Sequence, residues 1–112
     1  MILSGKNWHE GIIGIIASRL KDKFNKPTII ISLNDKVGKA SARSISGFDI
    51  GSIILAAVQD NILLKGGGHK MAGGFSIEES KIEIFKNFII KRFEKKMNNL
   101  SNKNNLYLDA II

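Results

Sequence analysis

The sequence EGIIGIIASRLKDKFNKPTIIIS at residues 10–32 joins a helical pattern to a strand pattern, which predicts an α/β fold. Apolar residues recur at helical spacing over Glu10–Phe24 and form one stripe, consisting of Ile13, Ile16, Ala17, Leu20 and Phe24. Pro27 ends this region, and the β-branched run Thr28–Ser32 that follows it is typical of a buried strand.

Shorter patterns extend this core in both directions. Met1–Leu3 predicts a short strand, and Ser4–Trp8 predicts a polar turn before the helix. Val37–Ser44 alternates as a second strand does, and Asp49 can cap a helix over Ile50–Asp60.

The C-terminal third predicts a strand and a long helix. Gly74–Ile77 indicates a strand, and capping boxes that begin at Ser76 and Ser80 open a helix that runs to about Met97. Its expected buried stripe consists of Ile82, Phe85, Phe88 or Ile89, and Phe93. The order βαββαβα predicts a single compact α/β domain, with a mixed sheet and flanking helices, over residues 1–97.

The last fifteen residues differ in character from the rest of the chain. Asn98–Asn105 is a polar linker, and Leu106–Ile112 is an apolar, strand-like segment. We expect a domain excised from a larger protein, in which residues 98–112 form a linker and the start of a following module.

Composition narrows the classes of function. The chain has 112 residues and a formal net charge of +7, which favours polyanionic partners such as nucleic acid. It has no cysteine and two histidines, which argues against disulfides, thiolate metal sites and His-rich metal sites. No apolar run approaches the roughly 20 residues of a membrane span. We therefore expect a cytoplasmic domain without a membrane partner.

The most distinctive segment is Lys65–Gly74, which reads KGGGHKMAGG. Glycine permits close approach of a ligand to the main chain, and successive N–H groups can then converge on an anion. This predicts a phosphate cradle to which Lys65, His69 and Lys70 add charge or hydrogen bonds. A tight turn between two core elements is the alternative.

Two further clusters are candidates for binding. In a strand, Lys39, Ser41 and Arg43 share one face and can bind phosphates, although the solvated face of an edge strand has the same pattern. Trp8 could stack on a base, and the adjacent His9 and Glu10 could perform acid–base chemistry, although capping and packing explain this group equally.

No carboxylate pair shows metal-ligand spacing, and no serine lies in a nucleophile elbow. The chain therefore lacks the parts of a complete hydrolytic centre.

Three motifs in register resemble the DHH-associated domain of the RecJ exonuclease family, in the DHH phosphoesterase superfamily. They are WHEGIIGIIASRL at residues 8–20, SARS with GFD at residues 41–49, and GGHKMAG at residues 67–73. The resemblance covers nearly all of residues 3–97, and Tyr107–Ala110 is similar to the segment that precedes the family's oligonucleotide-binding barrel.

This resemblance implies a specific activity and specific partners. RecJ-family enzymes degrade single-stranded DNA from the 5′ end with Mn²⁺ or Mg²⁺, which the Asp and His residues of a preceding DHH domain hold. The implied partners are single-stranded DNA and the DHH domain of the same parent chain. The fragment alone would be inactive, with no metal or catalytic residue of its own except His69, a candidate to stabilise developing charge. The implied phosphate-binding residues are Ser41, Arg43, Gly67, Gly68 and His69, with Lys70 and Lys39 added, and Trp8 and His9 near the same cleft.

Two departures keep other functions open. Gly66 adds a third glycine, and Ala72-Gly73-Gly74 replaces the Ala-Ala-Gly that is frequent in the family. Both leave an oligoribonucleotide or adenosine-bisphosphate phosphodiesterase as an alternative. A non-catalytic nucleic-acid-binding module of the alanyl-tRNA synthetase type is an alternative from another class.

Overall fold

A five-stranded mixed sheet with helices on both faces forms the domain in the computed structural model, which describes residues 1–100, with side chains to residue 94. The elements are β1 (Ile2–Lys6), α1 (Glu10–Phe24), β2 (Thr28–Asn34), β3 (Val37–Arg43), α2 (Ile50–Gln59), β4 (Lys65–Gly68), β5 (Ala72–Glu78) and α3 (Ile82–Leu100), with a 3₁₀ turn at Glu79–Lys81. The predicted α/β class is confirmed, as are the bounds of α1 and, within one residue, those of α2.

The strands lie in the order β1-β2-β3-β5-β4. β1 and β2 are parallel and α1 connects them, whereas every other neighbouring pair is antiparallel. Antiparallel neighbours need only short connections, while the parallel pair needs a crossover helix. β3 is therefore the central strand, so the alternative of a solvated edge-strand face for Lys39, Ser41 and Arg43 does not hold.

Residues 1–100 contain one strand more than their sequence predicts. Lys65–Gly68 pairs with β5, which begins at Ala72 rather than Gly74, so the element order is βαββαββα. Glycine is depleted in strands, which is why the sequence pattern indicated a turn. The capping box at Ser76 is wrong because that residue lies inside β5.

The N-terminal strand is also longer than predicted. β1 continues to Lys6, which is paired with Leu33, and the Asn7 N–H donates to the Leu33 carbonyl at 2.7 Å. The polar turn predicted over Ser4–Trp8 is therefore mostly strand. Pairing with a buried neighbour fixes this backbone even though its side chains are polar.

The two sheet faces carry different helices. On one face, α2 and α3 pack on the alternate strand residues Ile29, Ile31, Ala40, Ala42, Phe75 and Ile77. On the other face, Ile13 and Ala17 of α1 pack on Ile30. The expected stripe of α1 holds except at Phe24, which is 45% exposed at the end of the helix.

The expected stripe of α3 is confirmed at Ile82, Phe85, Ile89 and Phe93, all of which are buried. The helix continues to Leu100, past the predicted end at Met97. The predictions for residues 101–112, among them the segment Tyr107–Ala110, lie outside the described residues. Within the described part of the chain, no helix is both long and apolar enough to cross a membrane.

Candidate functional site

The sheet face that carries α1 brings two of the sequence clusters together. β5 lies between β3 and β4, so its residues connect the Lys39–Arg43 cluster to the glycine segment. Ser41 is paired with Gly74, and Gly74 with Gly67. Alternate strand residues share a face, so every second residue of each strand joins this surface.

Three rows of residues therefore cross β3, β5 and β4 on this face. The lysine row is Lys39, Ser76 and Lys65; the glycine row is Ser41, Gly74 and Gly67; and the arginine row is Arg43, Ala72 and His69. His69 completes the third row because its N–H donates to the Ala72 carbonyl at 2.7 Å. The structure thus brings Ser41, Arg43, Gly67 and His69 to one face, whereas the predicted residue Gly68 lies on the other face.

Arg43 is held against its own strand and against α1. Its Nη1 donates to Ser41 Oγ at 3.0 Å and to the Ala42 carbonyl at 2.9 Å. A Cβ on Gly14 would lie 3.4 Å from Arg43 Nη2 and from Ser41 Oγ. The missing side chain therefore lets α1 approach closely while the guanidinium stays beside the glycine row.

A groove of about 580 Å³ opens between the first turns of α1 and these rows. Glu10 and Ile13 of α1 line one side, and the sheet residues that line it include Lys39, Ser41, Lys65, Gly74 and Ser76. Two lysines and a glycine floor make this groove suitable for an anion that must approach the backbone closely.

The glycines of the segment serve two different purposes. A Cβ on Gly66, Gly68 or Gly73 would come within 2.5–2.8 Å of its neighbours, including Ile54 of α2. A Cβ on Gly67 would meet nothing within 4 Å. Three glycines are therefore required for packing on the α2 side, whereas Gly67 borders open space on the other face of the sheet.

The backbone does not form the predicted anion cradle. Lys65–Gly68 is an extended strand, and the His69 N–H is already bonded to Ala72. Successive N–H groups of a strand point in alternate directions, so they do not converge on one anion. The alternative, a tight connection, describes residues 69–72, and the side chains of the three rows are the groups that could bind.

Lys70 lies away from the groove. It lines a separate depression with Asp49 and Met71 at the start of α2. Hydrogen bonds from the N–H and hydroxyl of Ser52 hold the pKa of Asp49 below its usual value of 3.8, and the charge of Lys70 lowers that pKa further. Asp49 caps α2 as predicted.

The group before α1 has a structural role at two positions. His9 caps the helix, since its Nδ1 accepts the Gly11 N–H at 3.1 Å. The ring of Trp8 lies over Gly5, where a Cβ would come within 2.1 Å of it, and Ser32 Oγ donates to the Trp8 carbonyl at 2.6 Å. The ring is nevertheless 40% exposed. The capping role falls to His9, and Glu10 lies in the first turn as expected, whereas Trp8 packs on Gly5 without becoming a core residue.

The groove is electrostatically uncompensated apart from one carboxylate. Among residues 1–94, no acidic side chain forms an ion pair with Lys39, Arg43 or Lys65, although Glu10 lines the groove. Within the described residues, no three His, Asp or Glu side chains come together as metal ligands. The residues present fit an anion and do not fit a divalent metal.

Sequence reasoning missed Ser76 and Gly74 as site residues. Gly74 and Ser76 alternate with the apolar residues Phe75 and Ile77. This alternation could have identified them, because it places Gly74 and Ser76 on the face of β5 that does not pack on α2 and α3. The capping-box pattern that begins at Ser76 predicts a helix start at this residue and so competes with the strand pattern.

Comparison with known proteins agrees with this geometry. Residues 1–95 match the DHHA1 domain family. Over 81 residues the chain is 41% identical to the single-stranded-DNA-specific exonuclease RecJ of Escherichia coli, covering 70% of this chain and 14% of that protein. The chain therefore spans about one seventh of the length of that relative.

Solved structures show the same fold. Crystal structures of RecJ from Thermus thermophilus, in complex with Mg²⁺ and with Mn²⁺, match with a TM-score of 0.70 and 29% identity, over 80% of this chain and 14% and 13% of theirs. The C-Ala domain of Aquifex aeolicus alanyl-tRNA synthetase matches with a TM-score of 0.60 over 78% of this chain and 88% of its own, but at 11% identity it shares the fold alone.

Proposed function

This chain belongs to the DHHA1 domain family, and we propose that it is the phosphate-binding domain of a RecJ-like 5′–3′ exonuclease specific for single-stranded DNA. The observation that carries the proposal is a single sheet face on which Arg43 and Ser41 lie beside Gly67 and Gly74, and of which Ser41 and Gly74 line the groove beside α1. The name and 41% identity of the Escherichia coli relative support DNA as the ligand.

The arrangement suits a phosphodiester backbone for two physical reasons. The planar guanidinium of Arg43 is always charged and matches two phosphate oxygens, and its bond to Ser41 limits its freedom before a ligand arrives. This sheet face lacks Cβ atoms at Gly67 and Gly74, so a phosphate can approach the sheet closely. His69, at the end of the arginine row, would donate a hydrogen bond to a non-bridging oxygen.

In this proposal the chain binds and orients the DNA, and it does not break the bond itself. Holding a phosphate in a fixed position lowers the entropic cost of the reaction. Divalent metals, present as Mg²⁺ and Mn²⁺ in the Thermus structures, would polarise the scissile phosphate. Their ligands would belong to the DHH domain of the parent chain, which would act in the cytoplasm, and residues 98–112 would lead to a following module.

The test is binding of the 112-residue chain to single-stranded oligo-dT at several salt concentrations, read by fluorescence anisotropy. Each phosphate contact to a single strand adds about 0.7 to the slope of log K against log salt. Arg43→Ala should lower the affinity and reduce the slope by about that amount. Arg92→Ala is the matched control, because Arg92 is exposed on α3, beyond the opposite face of the sheet.

An unchanged slope in Arg43→Ala would remove Arg43 from the site. Oligo-rU of the same length tests the oligoribonucleotide alternative, which tighter binding of RNA than of DNA would favour. The chain, purified free of metal, should leave single-stranded DNA intact when Mn²⁺ is then added. Hydrolysis by the purified chain would contradict the positioning role.

A further inference from the structure

Two residues of the lysine row, Ser76 and Lys65, make no contact with phosphate in the function proposed above. Ser76 of β5 is paired with Lys39 on one side and with Lys65 on the other. Neighbouring strands lie about 4.8 Å apart, so the two lysines begin about 10 Å apart with the serine between them. Both side chains are exposed, and both line the groove.

The hydroxyl of Ser76 is available to a ligand. The residue is only 5% exposed, and its side chain forms no hydrogen bond within the described residues. In the same part of the chain, no buried side-chain oxygen or nitrogen lacks a partner. The Ser76 hydroxyl must therefore contact the solvent of the groove, and Ser76 is one of the residues that line this groove. It is a donor at the bottom of the groove, with a cation on each side.

The lysine row and Arg43 lie at different positions along the strands. Lys39 precedes Ser41 by two residues and Arg43 by four along β3, which corresponds to about 7 Å and 13 Å at the rise of a strand. The glycine row separates the two and offers no charge. Two phosphates of one strand can occupy the two ends at the same time.

We propose that Lys39, Ser76 and Lys65 form a second phosphate site, which binds another phosphate of the same single strand whose first phosphate lies on Arg43 and Ser41. This inference rests on the proposed function, since it assumes that the groove holds DNA. It assigns binding roles to Ser76 and Lys65 and sets the smallest ligand that the groove can fully use. That ligand carries at least two phosphates.

The strand's path then follows from the neighbouring surface. The row continues beyond Lys39 to Ser32 and Gly5, which the register places next to it. A second depression of about 330 Å³ there shares Lys39 and Glu10 with the groove and includes Trp8. Glu10 repels phosphate at this end, so the backbone of the strand would lie towards Lys65 and a base towards the Trp8 ring.

The experiment compares ligands with one and with six phosphates, pdT and pdT6, on the 112-residue chain. Two sites on one strand act together, so pdT6 should bind the unmodified chain much more tightly than pdT. The variant Lys39→Gln/Lys65→Gln should lose most of this advantage, with pdT6 affinity falling about five- to tenfold and pdT affinity changing less than twofold. Ser76→Ala, which changes no charge, should lower pdT6 affinity two- to threefold.

The control is Lys23→Gln/Lys91→Gln, which removes the same charge from exposed positions at the end of α1 and on α3. If the lysine-row variant kept the pdT6 advantage as fully as this control does, the second site would be disproved. Arg43→Ala should weaken both ligands, which separates the two proposals. A chain that bound neither ligand would overturn both.

Discussion

The two faces of the sheet treat the same glycine segment in opposite ways. On the α2 side, Gly66, Gly68 and Gly73 are needed because side chains or backbone atoms already occupy the space of a Cβ. On the α1 side, Gly67 borders open space. Consecutive glycines therefore need not have the same role, because alternate strand positions lie in different environments.

The faces differ equally in what stabilises them. The α2–α3 side buries large apolar residues, among them Ile54 and Phe85, whereas the α1 side beyond Ile13 and Ala17 carries lysine, serine, arginine and glycine. Burial of apolar area provides most of the folding free energy. We call the α2–α3 side the closed face and the α1 side the open face. Substitutions on the closed face should therefore change stability, and substitutions on the open face should change binding.

The largest expected effect is on the closed face. Phe85 is fully buried and its ring lies 4.9 Å from that of Phe75. Phe85→Ala should lower the free energy of unfolding by about 3–5 kcal/mol, through lost burial and a cavity. Urea denaturation measures it. Arg43→Ala, on the open face, is the reference, and an equal loss there would break the distinction between the faces.

The next comparison uses adjacent positions. Gly68→Ala places a methyl within 2.5 Å of backbone atoms of β5 and should cost about 1–3 kcal/mol of stability, as overpacking does. Gly67→Ala should be neutral or stabilise the fold by up to about 0.5–1 kcal/mol, because glycine weakens a strand. Thermal and urea unfolding of both variants decide this. Equal destabilisation at the two positions would contradict the assignment.

Gly67 also tests the open face by binding. Gly67→Val fills the open space at the glycine row with a side chain that strands favour, so the fold should persist. The affinity for oligo-dT should fall about tenfold, equivalent to about 1.4 kcal/mol. Anisotropy titrations measure this loss, and Ile84→Val, a change of an exposed residue of α3, serves as the control. Unchanged affinity in Gly67→Val would mean that the ligand does not touch the glycine row.

The smallest expected effect concerns the depression at the start of α2. The pKa of Asp49 is lower in the folded chain than in the unfolded chain, so its charge stabilises the fold above pH 3.8 and this contribution is lost as the pH falls through the folded value. Asp49→Asn keeps the cap without the charge. Its melting temperature should lie slightly below that of the parent chain at pH 7, and the difference should shrink as the pH falls below 3.8. A constant difference would show that the charge has no part.

The helices were the most predictable elements. The bounds of α1, and the cap and bounds of α2, follow from apolar periodicity and from Asp49, which are local features. The alternation of Lys39, Ser41 and Arg43 was also readable, because a strand has only two faces. In contrast, β4 could not be predicted, since its sequence Lys-Gly-Gly-Gly has no strand preference of its own.

The candidate site was predictable in membership but not in arrangement. Motifs identified Ser41, Arg43 and Gly67, whereas Ser76 was missed and Lys70 lies in another depression. Membership follows from residue type and spacing. Arrangement depends on the register between strands that lie far apart in sequence.

By itself, then, the amino-acid sequence determined the α/β class, the helices α1 and α2, the basic charge and the family. Tertiary structure alone decided that β5 enters between β3 and β4, that Gly67 borders open space while Gly68 faces β5 backbone, and that two lysines flank Ser76. The physical reason is that helix periodicity is a local property. Strand pairing joins distant residues, and a shift of one residue would move every side chain to the other face.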